Sequence, residues 1–244
     1  MRRLSWISSA LLACAALAGG CGSSSPTSSA PASSTSSAAG TGQGAAGTGQ
    51  GAAGTGQGAA GTSSAAGASP QTGFEGVPLE QGPQLAPADT TQSGKVDGIS
   101  CAPTEQLVYH IHQHLAVFDD GTLYQLPAGV GIPGSQAEQT DEGPIAAGGK
   151  CLYWLHTHTT DGVIHVESPT KRIYTLGNFF DVWHQPLSSD RVASLHGAVT
   201  SFVNGRPWKK SPRDIPLLPH EDIQLEIGQP APPLMTIDWS KTQL

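Results

Sequence analysis

Two short stretches of this chain concentrate groups that bind protons and metals: "YHIHQHL" at 109–115 and "LHTHTTDGVIHVES" at 155–168. Side chains alternate along a β-strand, so residues two apart share a face. His110, His112 and His114 therefore form a row in the first stretch, with Tyr109, Ile111, Leu115 and Val117 on the opposite face. In the second stretch, Asp161-Gly162 reads as a two-residue hairpin turn. That turn sets His158 opposite His165 and His156 opposite Glu167, with Cβ atoms about 4.5–5.5 Å apart. Leu155, Ile164 and Val166 fall on the other face, as a core-packing side requires.

Three imidazole nitrogens and a carboxylate oxygen, so gathered, can close on zinc or copper at about 2.0–2.2 Å. The row His110, His112, His114 either joins that site or makes a second one. Two other uses of the same residues stay open: a metal-free polar network tied by Glu167, and acid–base chemistry without a metal. Were the site an enzyme's, His156, His158 and His165 would hold the metal and Glu167 would act as general base on a bound water. Glu105 and Asp119 are candidate partners for the first row. His184, His196 and His220 stand alone and read as surface or capping residues.

The elements that must position these groups are mostly strands. "LVYHIHQHLAVF" runs into Asp120-Gly121 and then "TLYQLP", a hairpin. "AGVGIPGSQAEQTDEGPIAAGGK", 128–150, reads as a long polar loop. "TLGNFFDVWHQPL", 175–187, spaces Phe179, Phe180, Val182 and Trp183 as a short helix does and is stopped by Pro186. "AVTSFVNGRPW" turns at Asn204-Gly205, and "EDIQLEIG", 221–228, alternates like a half-buried strand. The proline-rich run at 229–233 with "MTIDW" is a candidate last edge strand. Tight turns between sequential strands predict a largely antiparallel sheet. The class is α+β, mainly β, in a single small domain.

That domain is expected over 96–244. Residues 1–20 read as a lipoprotein signal peptide: Arg2 and Arg3, an apolar stretch too short for a comfortable span, then "LAGGC", which resembles a lipobox with Cys21 as the lipidated residue. Residues 21–95 are nearly all small and polar and contain "GTGQGAA" three times in tandem, at 40, 47 and 54. Such a segment buries too little to offset chain entropy, so a disordered tether is expected. Its reach would be about 45–50 Å. The expected location is outside the cytoplasm, anchored to a membrane through lipid. Within 96–244, 16 acidic residues oppose 9 basic ones; this excess disfavours nucleic acid as a partner and mildly favours cations. In an exported chain Cys101 and Cys151 pair as a disulfide; two free thiols serving as soft metal ligands are the alternative.

The blocks "YHIHQHLAVF", "CLYWLHTHTTDGVIHVESP", "YTLGNFFDVW" and "VNGRPWKKSPRDIPLLPHEDIQLEIG" resemble a family of uncharacterised exported proteins of bacteria and some archaea. The resemblance spans about 100–230, implies one folded unit, and carries no activity or catalytic residues with it. A cupin pairs HxH with a glutamate shortly after it, but Gly162 stands at that spacing here. An α-type carbonic anhydrase is similar in setting HxH on one strand and a third histidine on its neighbour; this domain is too small and lacks that enzyme's surrounding sequence. The composite expectation is a metal-binding domain for copper or zinc that sequesters, senses or delivers the ion.

Overall fold

The structure, a computed structural model, describes residues 71–244. The signal segment, Cys21 and the three repeats lie outside the described residues. The main sheet holds seven strands: β1 (Tyr109–Asp119), β2 (Thr122–Tyr124), β3 (Leu155–His156), β4 (Val163–Ser168), β5 (Val199–Val203), β6 (Arg206–Trp208) and β7 (Asp222–Ile227). Their order is β6-β5-β7-β1-β4-β3, with β2 also paired to β1. All these pairings are antiparallel except that of β7 with β1, which is parallel. With one helix beside this sheet and several two- and three-stranded ribbons, the fold is α+β and mainly β.

Two hairpins follow their turn residues directly. Asp119 pairs with Thr122 around Asp120-Gly121, and Val203 with Arg206 around Asn204-Gly205. In each turn both residues have positive φ, at 46° and 75° and at 49° and 74°. Asp-Gly and Asn-Gly tolerate that conformation, which matches the right-handed twist of the flanking strands.

The third hairpin departs from its expected register. His156 pairs with His165 and Leu155 with Val166, and the ladder stops there. Six residues, 157–162, then make the connection instead of two. The cause lies in bonds to other segments. The Thr157 N–H donates to the Val130 carbonyl, its hydroxyl oxygen accepts from the Val130 N–H and its carbonyl accepts from Gly129; the carbonyls of His158 and Thr160 accept from Ala146 and Glu80. These competing partners peel the chain away from β4. The resulting shift is two residues, and because the pleat has period two, every side chain keeps its face; a one-residue shift would have reversed them all.

One face of the sheet carries the core. Leu115, Val117, Leu155, Ile164, Val166, Ile223 and Leu225 pack in one cluster with Phe179, Phe180 and Trp183 of the helix α1 (Leu176–Trp183). Thr175 caps α1 and exchanges side-chain bonds with Asn178, a capping box. The helix ends at His184 in the left-handed conformation, two residues ahead of Pro186. Proline disfavours helix at the residue before it, here Gln185.

Three expectations about connecting segments change. Residues 71–95 belong to the domain, not the tether. Val77, Leu79 and Leu85 are buried, and the Trp183 indole N–H donates to the Pro87 carbonyl. Each buried aliphatic side chain contributes about 1.5–3 kcal/mol, which a small polar composition upstream cannot supply. The 128–150 loop is likewise partly folded in: Ile132 and Ala146 form a small second core with Leu152, and Glu138–Thr140 pairs with Gly143–Ile145. No edge strand forms at 229–238. Prolines 230, 232 and 233 lack the N–H a ladder needs, and the segment is tied by side chains instead, Met235 N–H to Gln224 and Ile237 N–H to Asp222.

Cys101 and Cys151 form a disulfide 50 residues apart, so neither is a thiolate ligand. Closing such a loop is worth about 4 kcal/mol on the chain-entropy model. It fixes the short strand Cys101–Ala102 against Leu152–Tyr153, just ahead of β3.

Candidate metal centre

The sheet face opposite the core gathers the histidines. β4 is central, flanked by β3 and β1, and His165 is the cross-strand partner of both His156 and His112. His110 stands opposite Glu167 on the same side. Four imidazoles and one carboxylate thus meet across three adjacent strands, and His158, from the connection after β3, adds a fifth imidazole. The ligand atoms of His156, His158, His165 and Glu167 lie within 4.8 Å of one another, as do those of His110, His112 and His165.

Tautomers can be assigned at two of these rings. Nδ1 of His156 lies 2.8 Å from the Tyr153 carbonyl oxygen, and Nδ1 of His158 lies 2.9 Å from that of Ala146. A carbonyl only accepts, so each Nδ1 carries the proton and each Nε2 presents a lone pair. The two Nε2 atoms face each other at 3.1 Å. Two lone pairs at that distance repel unless a cation sits between them. Ligands of a tetrahedral ion with bonds of 2.0–2.1 Å stand about 3.3 Å apart, so the spacing suits a shared metal. Burial, then the neighbouring His165 and His158, holds the His156 imidazole well below its ordinary range, so a proton does not serve as that cation.

Glu167 reaches the same point. Its Oε1 is 3.7 Å from His156 Nε2, 3.6 Å from His165 Nδ1 and 3.3 Å from His110 Nε2. Its Oε2 and both nitrogens of His165 are buried without a directed hydrogen bond. Such atoms are expensive to bury unless a partner is supplied. Burial alone would lower the His165 pKa; the Glu167 and Glu75 carboxylates reverse this and raise it to about 9. Burial, followed by His165 and His110, pushes His112 down to about 2. The donor set is nitrogen and oxygen throughout, which fits zinc or copper. This buried cluster can hold a metal ion.

His114, third in the row, does not join. It lies on the same face but one pair further along, opposite Val163, where its Nε2 is 3.6 Å from Glu80 Oε1 in a fully buried pocket. Gly162 makes room for it: a Cβ there would come within 2.7 Å of His114 Nε2, at a φ of 76°. Glu105 does approach, with Oε1 3.8 Å from His158 Nε2, whereas Asp119 sits at the far end of β1 opposite Thr122. His184 caps α1 and pairs with Asp89, His196 is exposed, and His220 stacks on Trp239.

Two buried acidic residues, one at the site and one beside His114, come from the segment assigned to the tether. Glu75 Oε1 is 2.9 Å from His165 Nε2, close but not aligned for a directed hydrogen bond, so the pair is a charge contact. Glu80 seals the His114 pocket and accepts from the Leu126 N–H. A sequence signal existed. "FEGVPLEQGPQL", 74–85, interleaves four large apolar residues with its two glutamates, unlike the repeats before it. A cavity of about 250 Å³ opens over the cluster, lined by His110, His112, His158, His165, Glu167 and Glu75.

No family model matches the chain, and no curated protein or solved structure matches it either. The functional conclusion therefore rests on the geometry of this cluster. Among the described residues no helix is long and apolar enough to cross a membrane.

Proposed function

We propose that this protein is an extracytoplasmic metal-binding lipoprotein whose domain sequesters or delivers copper or zinc. One observation carries the metal: the Nε2 atoms of His156 and His158 face each other at 3.1 Å while both Nδ1 atoms donate to carbonyls. A metal-free network of mutually bonded histidines would need a donor hydrogen between those atoms, and neither ring has one to give. Export and lipid attachment at Cys21 are supported by the "LAGGC" sequence and by a disulfide suited to an oxidising compartment. Binding and transfer are favoured over catalysis because the candidate base, Glu167, points at three imidazoles and is spent as a ligand.

The test is metal analysis of the full chain, purified without a polyhistidine tag, beside the double variant His156→Ala/His158→Ala. The expected result is copper or zinc in the parent and its loss in the variant. Metal content untouched by the double change overturns the proposal. The cavity beside the cluster favours one alternative, a metal-dependent hydrolase or lyase with Glu167 as base. Glu167→Gln separates the two: a ligand role weakens metal binding, and a base role spares it.

A further inference from the structure

The cluster holds more donors than one ion can take. A structural zinc uses four protein ligands. Here His110, His112, His156, His158, His165 and Glu167 all bring a donor atom to the same face, in two overlapping sets. Each set has a histidine pair of its own. The Nε2 atoms of His156 and His158 lie 3.1 Å apart on the β3 side, and those of His110 and His112 lie 2.9 Å apart on the β1 side. Between them runs β4, whose His165 falls in both sets and whose Glu167 approaches a histidine on each side. His165 is the cross-strand partner of His156 and of His112, and both its ring nitrogens lack a directed bond. Glu167 Oε1 lies 3.3 Å from His110 Nε2 and 3.7 Å from His156 Nε2.

From this we infer that the centre is dinuclear. One cation is held by His156 and His158, a second by His110 and His112; Glu167 on the middle strand is shared between them, and His165, whose Nε2 faces Glu75, completes the ligand set of one of the two. The inference rests on the metal-binding function proposed above and fixes its stoichiometry. A shared carboxylate explains why one oxygen of Glu167 approaches histidines from both flanking strands, a position that leaves its other oxygen free to complete a bridge. The two ions also differ in access. His112 and His158 both line the cavity, but His156 is wholly buried whereas the His110 side chain is 36% exposed, so the β1-side ion is the more open to solvent and the more readily exchanged.

Equilibrium dialysis of the untagged full chain against zinc, and separately against copper(II), tests this. Two equivalents per chain are expected, falling to one in His110→Ala/His112→Ala. His110 lies at the rim and His112 is buried beneath it, so circular dichroism is used to check that the variant stays folded. In the copper-loaded parent, two ions sharing a carboxylate couple magnetically, so the paramagnetic resonance intensity per copper falls well below that of the variant. One equivalent in the parent, unchanged by the His110/His112 substitutions and with full resonance intensity, overturns the dinuclear centre and leaves the single-ion function intact. No bound metal at all overturns both. Because the stoichiometry of the parent decides the matter, a variant that fails to fold does not shelter the inference.

Discussion

Glu75 Oε1 stands 2.9 Å from His165 Nε2, joining a segment rich in turns to the middle of the three strands that carry the cluster. The segment is held there by its backbone: the Gln243 N–H donates to the Glu75 carbonyl, and the Gln243 amide donates to that of Phe74. A carboxylate on the far side of a ligating ring fixes the orientation of that ring and raises its basicity. Glu75→Gln is therefore expected to weaken metal affinity by about 10- to 100-fold without changing the number of ions bound. Competition against a chromophoric chelator reads this directly; unchanged affinity would remove Glu75 from the site.

His114 separates sequence pattern from function. It shares its row with His110 and His112, yet the carboxylate it meets is that of Glu80, away from the cluster. His114→Gln should leave metal stoichiometry intact and lower stability by about 1–3 kcal/mol, since a buried polar group loses its fitted pocket. Denaturant unfolding measures the second quantity and dialysis the first. Lost metal would return His114 to the ligand set.

Glu80 gives a pH dependence with a definite sign. Burial raises its pKa well above 4.5. The folded state therefore prefers the protonated acid. Its contribution is fully present below the unfolded pKa and is lost as pH rises toward the folded value. Glu80→Gln mimics the neutral form, so the variant should exceed the parent in stability at pH 8 by about 1–3 kcal/mol. The gain should shrink to nothing near pH 4. Thermal melts of both proteins across that range check it, and a gain that grows on acidification would refute the assignment.

Reduction of the Cys101–Cys151 bridge tests the division between scaffold and ligands. Stability should fall by about 4 kcal/mol, the loop-closure value for a 50-residue loop. Metal content, measured while the protein is still folded, should not change, because no sulfur belongs to the donor set. Metal released on reduction under folding conditions would show that the thiols compete for it.

Local chemistry explains what was legible in the chain. Asp120-Gly121 and Asn204-Gly205 set their own hairpins, because a two-residue turn with positive φ needs no help from distant residues. The helix declared itself through the spacing of Phe179, Phe180 and Trp183. Period-two alternation placed His110, His112, His156, His158, His165 and Glu167 on the face away from the core, and that conclusion outlived an error in register because the error was an even number of residues.

Pairing between distant segments explains what was not. The 155–168 hairpin loses its tight turn to Gly129, Val130, Ala146 and Glu80, none adjacent in sequence. That β1 lies against β4, making one cluster of two, is a long-range strand choice that alternation does not encode. Glu75 and Glu80 follow a small, polar, glycine-rich stretch, and only their burial under the rest of the domain gives them a role. Which residues share a face was thus set by the sequence through the geometry of one strand; which faces meet, and which acids cover them, was decided by tertiary packing, where the favourable energy comes from contacts far apart along the chain.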